Sequence, residues 1–193
     1  MIAALYVDTR GVYSELGLDV WGGHRERGQL VIDRDARAYA GPSPVIAHPP
    51  CERWGRYWSG GPSAKVRRWG GVLEHPEASH AWRAFDLARP PRSGGWIPAD
   101  DLGGWTCCVA QGKYGHRAQK LTWLYAFGTK PRDLDWGPTP GLVRLDRGYH
   151  SAEERRRSAP AERAPRLSSH ELAATPRPFA ELLIEIATRI ERR

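Results

Sequence analysis

Lysine is scarce in this chain. Only Lys65, Lys113, Lys120 and Lys130 stand among the 29 Lys+Arg, so the remaining 25 cations are arginines. Arginine's planar fork suits phosphate and base edges. With 22 Asp+Glu the net charge is +7 and the pI ≈ 9.7, which admits a nucleic-acid partner without establishing one. Cysteine is scarce too: three residues, two of them adjacent (Cys107 and Cys108), exclude a disulfide framework and a CxxC-type zinc knuckle. No metal site is expected, and a reducing cytoplasm is the expected home. No apolar run approaches the ~20 residues that span a bilayer. Met1 to Asp8 lacks the basic start of a signal peptide and meets an acid at Asp8, so no membrane partner is expected. Tryptophan is the abundant residue. Nine occur in 193 residues, where ordinary usage gives about two or three. A hydrophobic content of 40% with 26% charged residues supports a core, and the length suits one domain with a tail.

Short apolar runs at Ala3–Asp8, Leu18–Trp21, Leu30–Ile32, Val45–Ala47, Gly71–Leu73, Trp105–Ala110 and Leu121–Phe127 read as strands. Helical stretches are expected behind the first run (residues 11–16) and at about 63–69 and 78–87, while residues 90–104, rich in Gly and Pro, read as a loop. Strands alternating with helices predict an α/β fold, a Rossmann-like, mostly parallel sheet with helices on both faces. Residues 1–150 form the expected catalytic domain. A polar linker follows at 151–167, where Arg155, Arg156, Arg157, Arg163 and Arg166 read as solvated cations or phosphate contacts, and then a helical segment at 168–193. In that segment Phe179, Leu182, Leu183, Ile186 and Ile190 fall on one helical stripe, which docks on the sheet or forms a homodimer contact.

Ligands of open parallel sheets bind beyond the carboxyl ends of the strands, and three segments land there. In Pro44–Glu52 a strand runs into His48-Pro49-Pro50-Cys51, where the prolines fix the backbone and hold Cys51 as a candidate nucleophile or, otherwise, as a buried structural cysteine. Arg53, Trp54, Arg56, Tyr57 and Trp58 follow, and then Lys65, Arg67, Arg68 and Trp69. Such interleaved cations and aromatics suit a nucleotide, with phosphate on arginine and base on ring, or else serve packing. In Gly70–Pro76 a strand ends at Glu74, a carboxylate able to carry a proton beside the thiol. In Gln111–Leu124 the residues His116, Arg117, Lys120 and Thr122 position a phosphate or base, or form a plain basic turn.

This order of Pro-Pro-Cys, strand-Glu and Gln…Tyr-Gly…Arg…Lys-x-Thr resembles the DNA cytosine C5 methyltransferase family, most of all the short versions carried by bacteriophages. The resemblance covers roughly residues 1–127. It implies that Cys51 is the catalytic cysteine and Glu74 the glutamate of a Glu-Asn-Val motif, here with His75-Pro76 in place of Asn-Val. Arg117 stands near the family's Gln-x-Arg-x-Arg motif. Asp35-Ala36-Arg37 resembles the motif that reaches the adenine of S-adenosylmethionine, and Asp8-Thr9-Arg10-Gly11 stands where the family has its glycine-rich cofactor loop. The resemblance therefore implies Asp8, Gly11 and Asp35 as cofactor-binding residues and Arg53, Trp54, Arg56, Tyr57, Trp58, Lys120 and Thr122 as contacts to DNA. Its chemistry is thiolate addition to C6 of a cytosine flipped out of the duplex, with the glutamate at N3 and methylation at C5.

The family's large target-recognition domain has no counterpart after Thr122. That leaves low sequence selectivity, a separate specificity subunit, or a nucleotide or single strand as substrate. The loop with one glycine also admits a repurposed relative that places a different one-carbon group on C5, or none. Thymidylate synthase-like chemistry shares Pro50-Cys51 but lacks its paired-arginine phosphate motif here. An amino-methyltransferase is disfavoured because Cys51 stands where its aromatic residue belongs. A nucleic-acid-binding module without catalysis is the non-enzyme alternative. Trp54, Trp58, Trp69 and Trp82 flank the catalytic-looking segments and are expected to wall a pyrimidine pocket.

Overall fold

The computed structural model describes residues 1–50, 62–129, 132–139 and 167–189. Its framework is one eight-stranded mixed sheet. In chain order the elements are β1 (Ala3–Asp8), α1 (Val12–Glu15), β2 (Asp19–Glu26), β3 (Gln29–Ile32), β4 (Val45–Ala47), α2 (Pro62–Trp69), β5 (Gly71–Pro76), α3 (His80–Ala84), β6 (Ile97–Pro98), β7 (Trp105–Ala110), β8 (Leu121–Phe127), α4 (Ser169–Ala173) and α5 (Arg177–Thr188). The strand order across the sheet is β3-β2-β1-β4-β5-β8-β7-β6. β1 pairs in parallel with β2 and β4, and β4 with β5. The β2–β3, β5–β8, β7–β8 and β6–β7 pairs are antiparallel.

The inner strands are largely apolar. Val45, Ile46 and Ala47 of β4 are all fully buried, as a strand flanked by neighbours and covered above and below requires. Alternate residues feed two clusters. Ala4, Ile46, Val72, Cys107 and Leu124 pack with Tyr13 of α1 and with Phe179, Leu183 and Ile186 of α5. Ala3, Leu5, Ala47, Leu73, Cys108 and Tyr125 pack with Val66 of α2 and with Ala81 and Trp82 of α3. The amphipathic stripe of residues 179–186 is thus buried within this chain, while Ile190 lies outside the described residues.

One expectation is filled in and one is corrected. The sheet expected to be mostly parallel is mixed, with hairpins at its rims. Arg27 and Gly28, at φ 48° and 83°, make the tight turn between β2 and β3, the two-residue positive-φ connection whose twist matches paired antiparallel strands. The helix expected over 78–87 spans only His80–Ala84. Asp86 takes φ 51° and the Leu87 N–H bonds back to the Trp82 carbonyl at 2.8 Å, a left-handed cap that closes the helix early.

Candidate functional site

The chain leaves β1 to build β2 and β3 on one side, then returns to add β4 on the other. The point between β1 and β4 is where a sheet of this kind opens a crevice at its carboxyl ends. β1 reaches that point through a bulge. Its register to β2 slips between Leu5 and Val7, with Tyr6 at φ 61°, a device that re-aims a strand end. β5 is held close to β4 by Gly71, at φ +124°, where a Cβ would stand 1.9 Å from the Val45 carbonyl oxygen.

Three residues further along β5 is Glu74, on the face of Val72 rather than Leu73. Its side chain keeps 11% of its surface exposed, and that of His48, next after β4, keeps 14%. The two meet at 2.8 Å between His48 Nδ1 and Glu74 Oε2. On the other side of the ring, His48 Nε2 lies 2.6 Å from the hydroxyl of Tyr13, the buried residue of α1. The second carboxylate oxygen, Oε1, accepts from Gln111 Nε2 at 3.2 Å, and Gln111 also donates to Thr122 Oγ1 at 2.8 Å. Gln111 itself is 1% exposed. Among the described residues its Oε1 has no hydrogen-bond partner, a buried acceptor left open beside the carboxylate.

The electrostatics follow from this geometry. Burial pushes the Glu74 carboxyl upward, but the hydrogen bond and charge of His48, with Lys120 and His75 behind it, outweigh burial and hold it below the ordinary carboxylate value. The Tyr13 phenol moves the other way, raised well above its ordinary value by burial and then by the Glu74 charge, and so stays protonated. Burial also lowers the His75 imidazole despite its neighbour Glu74. A protonated phenol, an imidazole and an ionised carboxylate in line can pass one proton along two hydrogen bonds.

Comparison with family models, curated proteins and solved structures returns no match. The site stands on its own residues.

Of the residues singled out in the sequence, the structure brings Glu74 and Thr122 into this network and sets Lys120 beside it. Lys120 bonds through Nζ to the Ala174 carbonyl at 2.9 Å, and Thr122 is fully buried under Gln111. Arg117 is drawn to α4, where its guanidinium meets Glu171 Oε1 at 2.6 Å. Cys51, Arg53, Trp54, Arg56, Tyr57 and Trp58 lie outside the described residues; Cys51 follows in sequence directly on Pro50.

Asp8 and Gly11 form the turn after β1: Asp8 Oδ1 accepts the Arg10 N–H at 2.9 Å, and the Gly11 N–H reaches the Asp8 carbonyl at 3.1 Å. Asp35 caps a single 3₁₀ turn at Ala36–Ala38, and both its oxygens are taken by Arg37 at 2.7–2.9 Å. Nearby, Asp33 accepts from Thr9 Oγ1 and lies 2.7 Å from His24 Nδ1, tying the turn to the β2–β3 hairpin. These residues do not fit an adenosyl cofactor. The carboxylate meant for the adenine is engaged by Arg37 in an exposed pair, and the turn offers one glycine with Arg10 inside it.

Of the expected aromatic wall, Trp54 and Trp58 lie outside the described residues, and the two described members stand elsewhere. Trp82 is wholly buried, donating to Thr106 Oγ1 at 3.0 Å and packing edge-on against Trp123. Trp69 packs on Tyr39 at the opposite end of the sheet. There, at the amino ends of the parallel strands, Trp69, Arg67 and Arg68 line an open cavity of about 1210 Å³. Arg67 is tied there to Asp100 at 2.9 Å and to the Tyr125 hydroxyl at 3.1 Å.

Sequence reading singled out neither His48 nor Tyr13. The signal for His48 was its place immediately before Pro-Pro-Cys. Tyr13 carried none, since a tyrosine on a short apolar helix reads as core.

Proposed function

We propose that the chain is a cytosine C5 methyltransferase-like, pyrimidine-modifying enzyme in which Cys51 adds to C6 of the ring and Glu74 acts at N3. The observation that supports this reading is the 2.8 Å contact between His48 and Glu74. It draws the exit of β4, which leads into Pro-Pro-Cys, against the glutamate at the end of β5, two segments 26 residues apart in sequence. What supports that position is that His48 follows β4 and Glu74 lies near the end of β5, the carboxyl ends where open α/β sheets bind ligands; a Rossmann-like layering, with α1 and α5 over one face and α2 and α3 over the other, belongs to the same proposal. The expected location is cytoplasmic.

The chemistry that this chain's own residues perform needs no donor for its first half. The Cys51 thiolate forms a bond to C6 as the C5–C6 π electrons move into the ring, and N3 takes the proton carried by Glu74. C5, now nucleophilic, takes a hydron from solvent. Loss of the original C5 hydrogen then expels the thiolate, and Glu74 recovers its proton. The net change is exchange at C5. Cysteine suits both halves, as nucleophile and as leaving group. The resemblance implies S-adenosylmethionine as donor of a group to C5, but the residues around Asp35 do not fit it.

The test is C5–H exchange in D₂O, followed by mass spectrometry on deoxycytidine in duplex DNA, in single-stranded DNA and as the mononucleotide. Exchange on one of these, abolished by Cys51→Ala, is the expected outcome. Exchange on none of them, or exchange that survives Cys51→Ala, overturns the mechanism. A second reading, a nucleic-acid-binding module without turnover, is favoured by the engagement of Asp35 with Arg37; it predicts DNA binding without exchange.

A further inference from the structure

We propose that His48, backed by Tyr13, is a positioning residue that loads and unloads the proton Glu74 shares with the pyrimidine ring. This rests on the reading of Glu74 given above. An ionised carboxylate cannot donate to N3 of cytosine, which is itself an acceptor, so Glu74 must acquire a proton as the thiolate adds. The nearest source among the described residues is in place: His48 Nδ1 stands 2.8 Å from Oε2, whereas the described partner of Oε1 is the amide of Gln111, which cannot give up a proton. The relay is closed at its far end by the Tyr13 hydroxyl, 2.6 Å from Nε2. That hydroxyl accepts from Nε2–H both in the imidazolium and in the neutral ring left when Nδ1 gives up its proton, so Nε2 keeps a partner in both states.

The step balances as a single proton displacement. The Nδ1–H bond of the imidazolium breaks as a proton passes to Oε2, and the proton on the carboxyl passes to N3 as the Cys51–C6 bond forms. Elimination of the thiolate runs the same path backwards and restores the imidazolium. The titratable and charged groups facing this pair are Tyr13 from α1, His75 from β5 beside Glu74, and Lys120 from the turn before β8. Lys120 and His75 favour the ionised Glu74 and so favour its release of the proton to the base.

The experiment is the pH profile of C5–H exchange for the full chain and two variants. His48→Asn keeps an N–H near the position of Nδ1, and hence the bond that orients Glu74, but it cannot titrate. Exchange is expected to fall by about 10²-fold, and its pH profile is expected to change shape. Tyr13→Phe keeps the ring and is expected to change the profile by less. A His48→Asn enzyme with the wild-type profile overturns the relay while leaving the proposed function intact. Absence of exchange in the wild type overturns the proposed function instead. A second measurement tests the relay without any substrate. The ¹⁵N signals of the His48 ring are expected to titrate differently in Glu74→Gln and in Tyr13→Phe than in the wild type. A ring that titrates identically in all three proteins overturns the coupling.

Discussion

A carboxylate buried as deeply as Glu74 stays ionised only because His48, His75 and Lys120 face it. The consequence for stability has a definite sign. Its pKa is lowered from 4.5 in the fold, so the stability it contributes is present above that value and is lost as pH falls through the lower folded one. His75 and His116 are lowered from 6.5 mainly by burial. Their contribution is likewise present above 6.5 and is lost on acidification, because the unfolded chain takes up protons that the folded one refuses. Thermal unfolding is expected to show Tm falling in two stages as pH drops, first below about 6.5 and then below about 4.5. Glu74→Gln is expected to shrink the lower stage without removing it, because Asp19, Asp33, Asp100 and Glu171 are lowered too, and a flat profile between pH 7 and 4 would contradict the arrangement. Glu74 was legible in the sequence because an acid at the end of an apolar strand is conspicuous. Its partners were not. His48 and Tyr13 come together across 35 residues of chain, and no local pattern records a contact made by two strands and a helix meeting at one sheet end.

Among the elements, α5 was read most fully: its stripe, its proline start and its docking all follow from helical spacing. Leu183 on it is fully buried. Leu183→Ala is expected to cost about 2–5 kcal/mol in denaturant unfolding. Glu181→Ala, on the exposed side in an i,i+4 pair with Arg177, is expected to change stability by less than about 0.5 kcal/mol. Equal costs for the two would contradict the docking. The hairpins were legible in principle. A parallel crossover needs a dozen residues or more, and two separate β2 from β3. Apolar spacing alone counts strands without reporting their direction, so a mostly parallel sheet was expected without saying which pairs run antiparallel. β3 is also the one strand whose apolar residues face outward, Leu30 at 62% and Ile32 at 58% exposed, which no periodicity of four residues reveals.

At the scale of the whole molecule, the α/β class was legible, and so was the convergence of the β4 exit with β5. The cofactor motif was legible only as a string. Asp35 sits in the right order along the chain, yet its carboxylate serves a local arginine and a 3₁₀ cap, and sequence order carries no information on whether an acceptor is already engaged. Calorimetry with S-adenosylhomocysteine is accordingly expected to give no saturable binding; saturable heat would return methyl transfer from that donor to the first place. Among the described residues no helix is long and apolar enough to cross a membrane.

The seat of α5 on the sheet has a consequence during synthesis. Ala4, Ile46 and Val72 are covered by a helix that follows the last strand by about fifty residues. At roughly 5–20 residues per second the ribosome takes several seconds to traverse that interval. For that time only α1 stands over that face of the strands, and the nascent chain is expected to bind chaperones more strongly between residues 127 and 189 than the finished fold does.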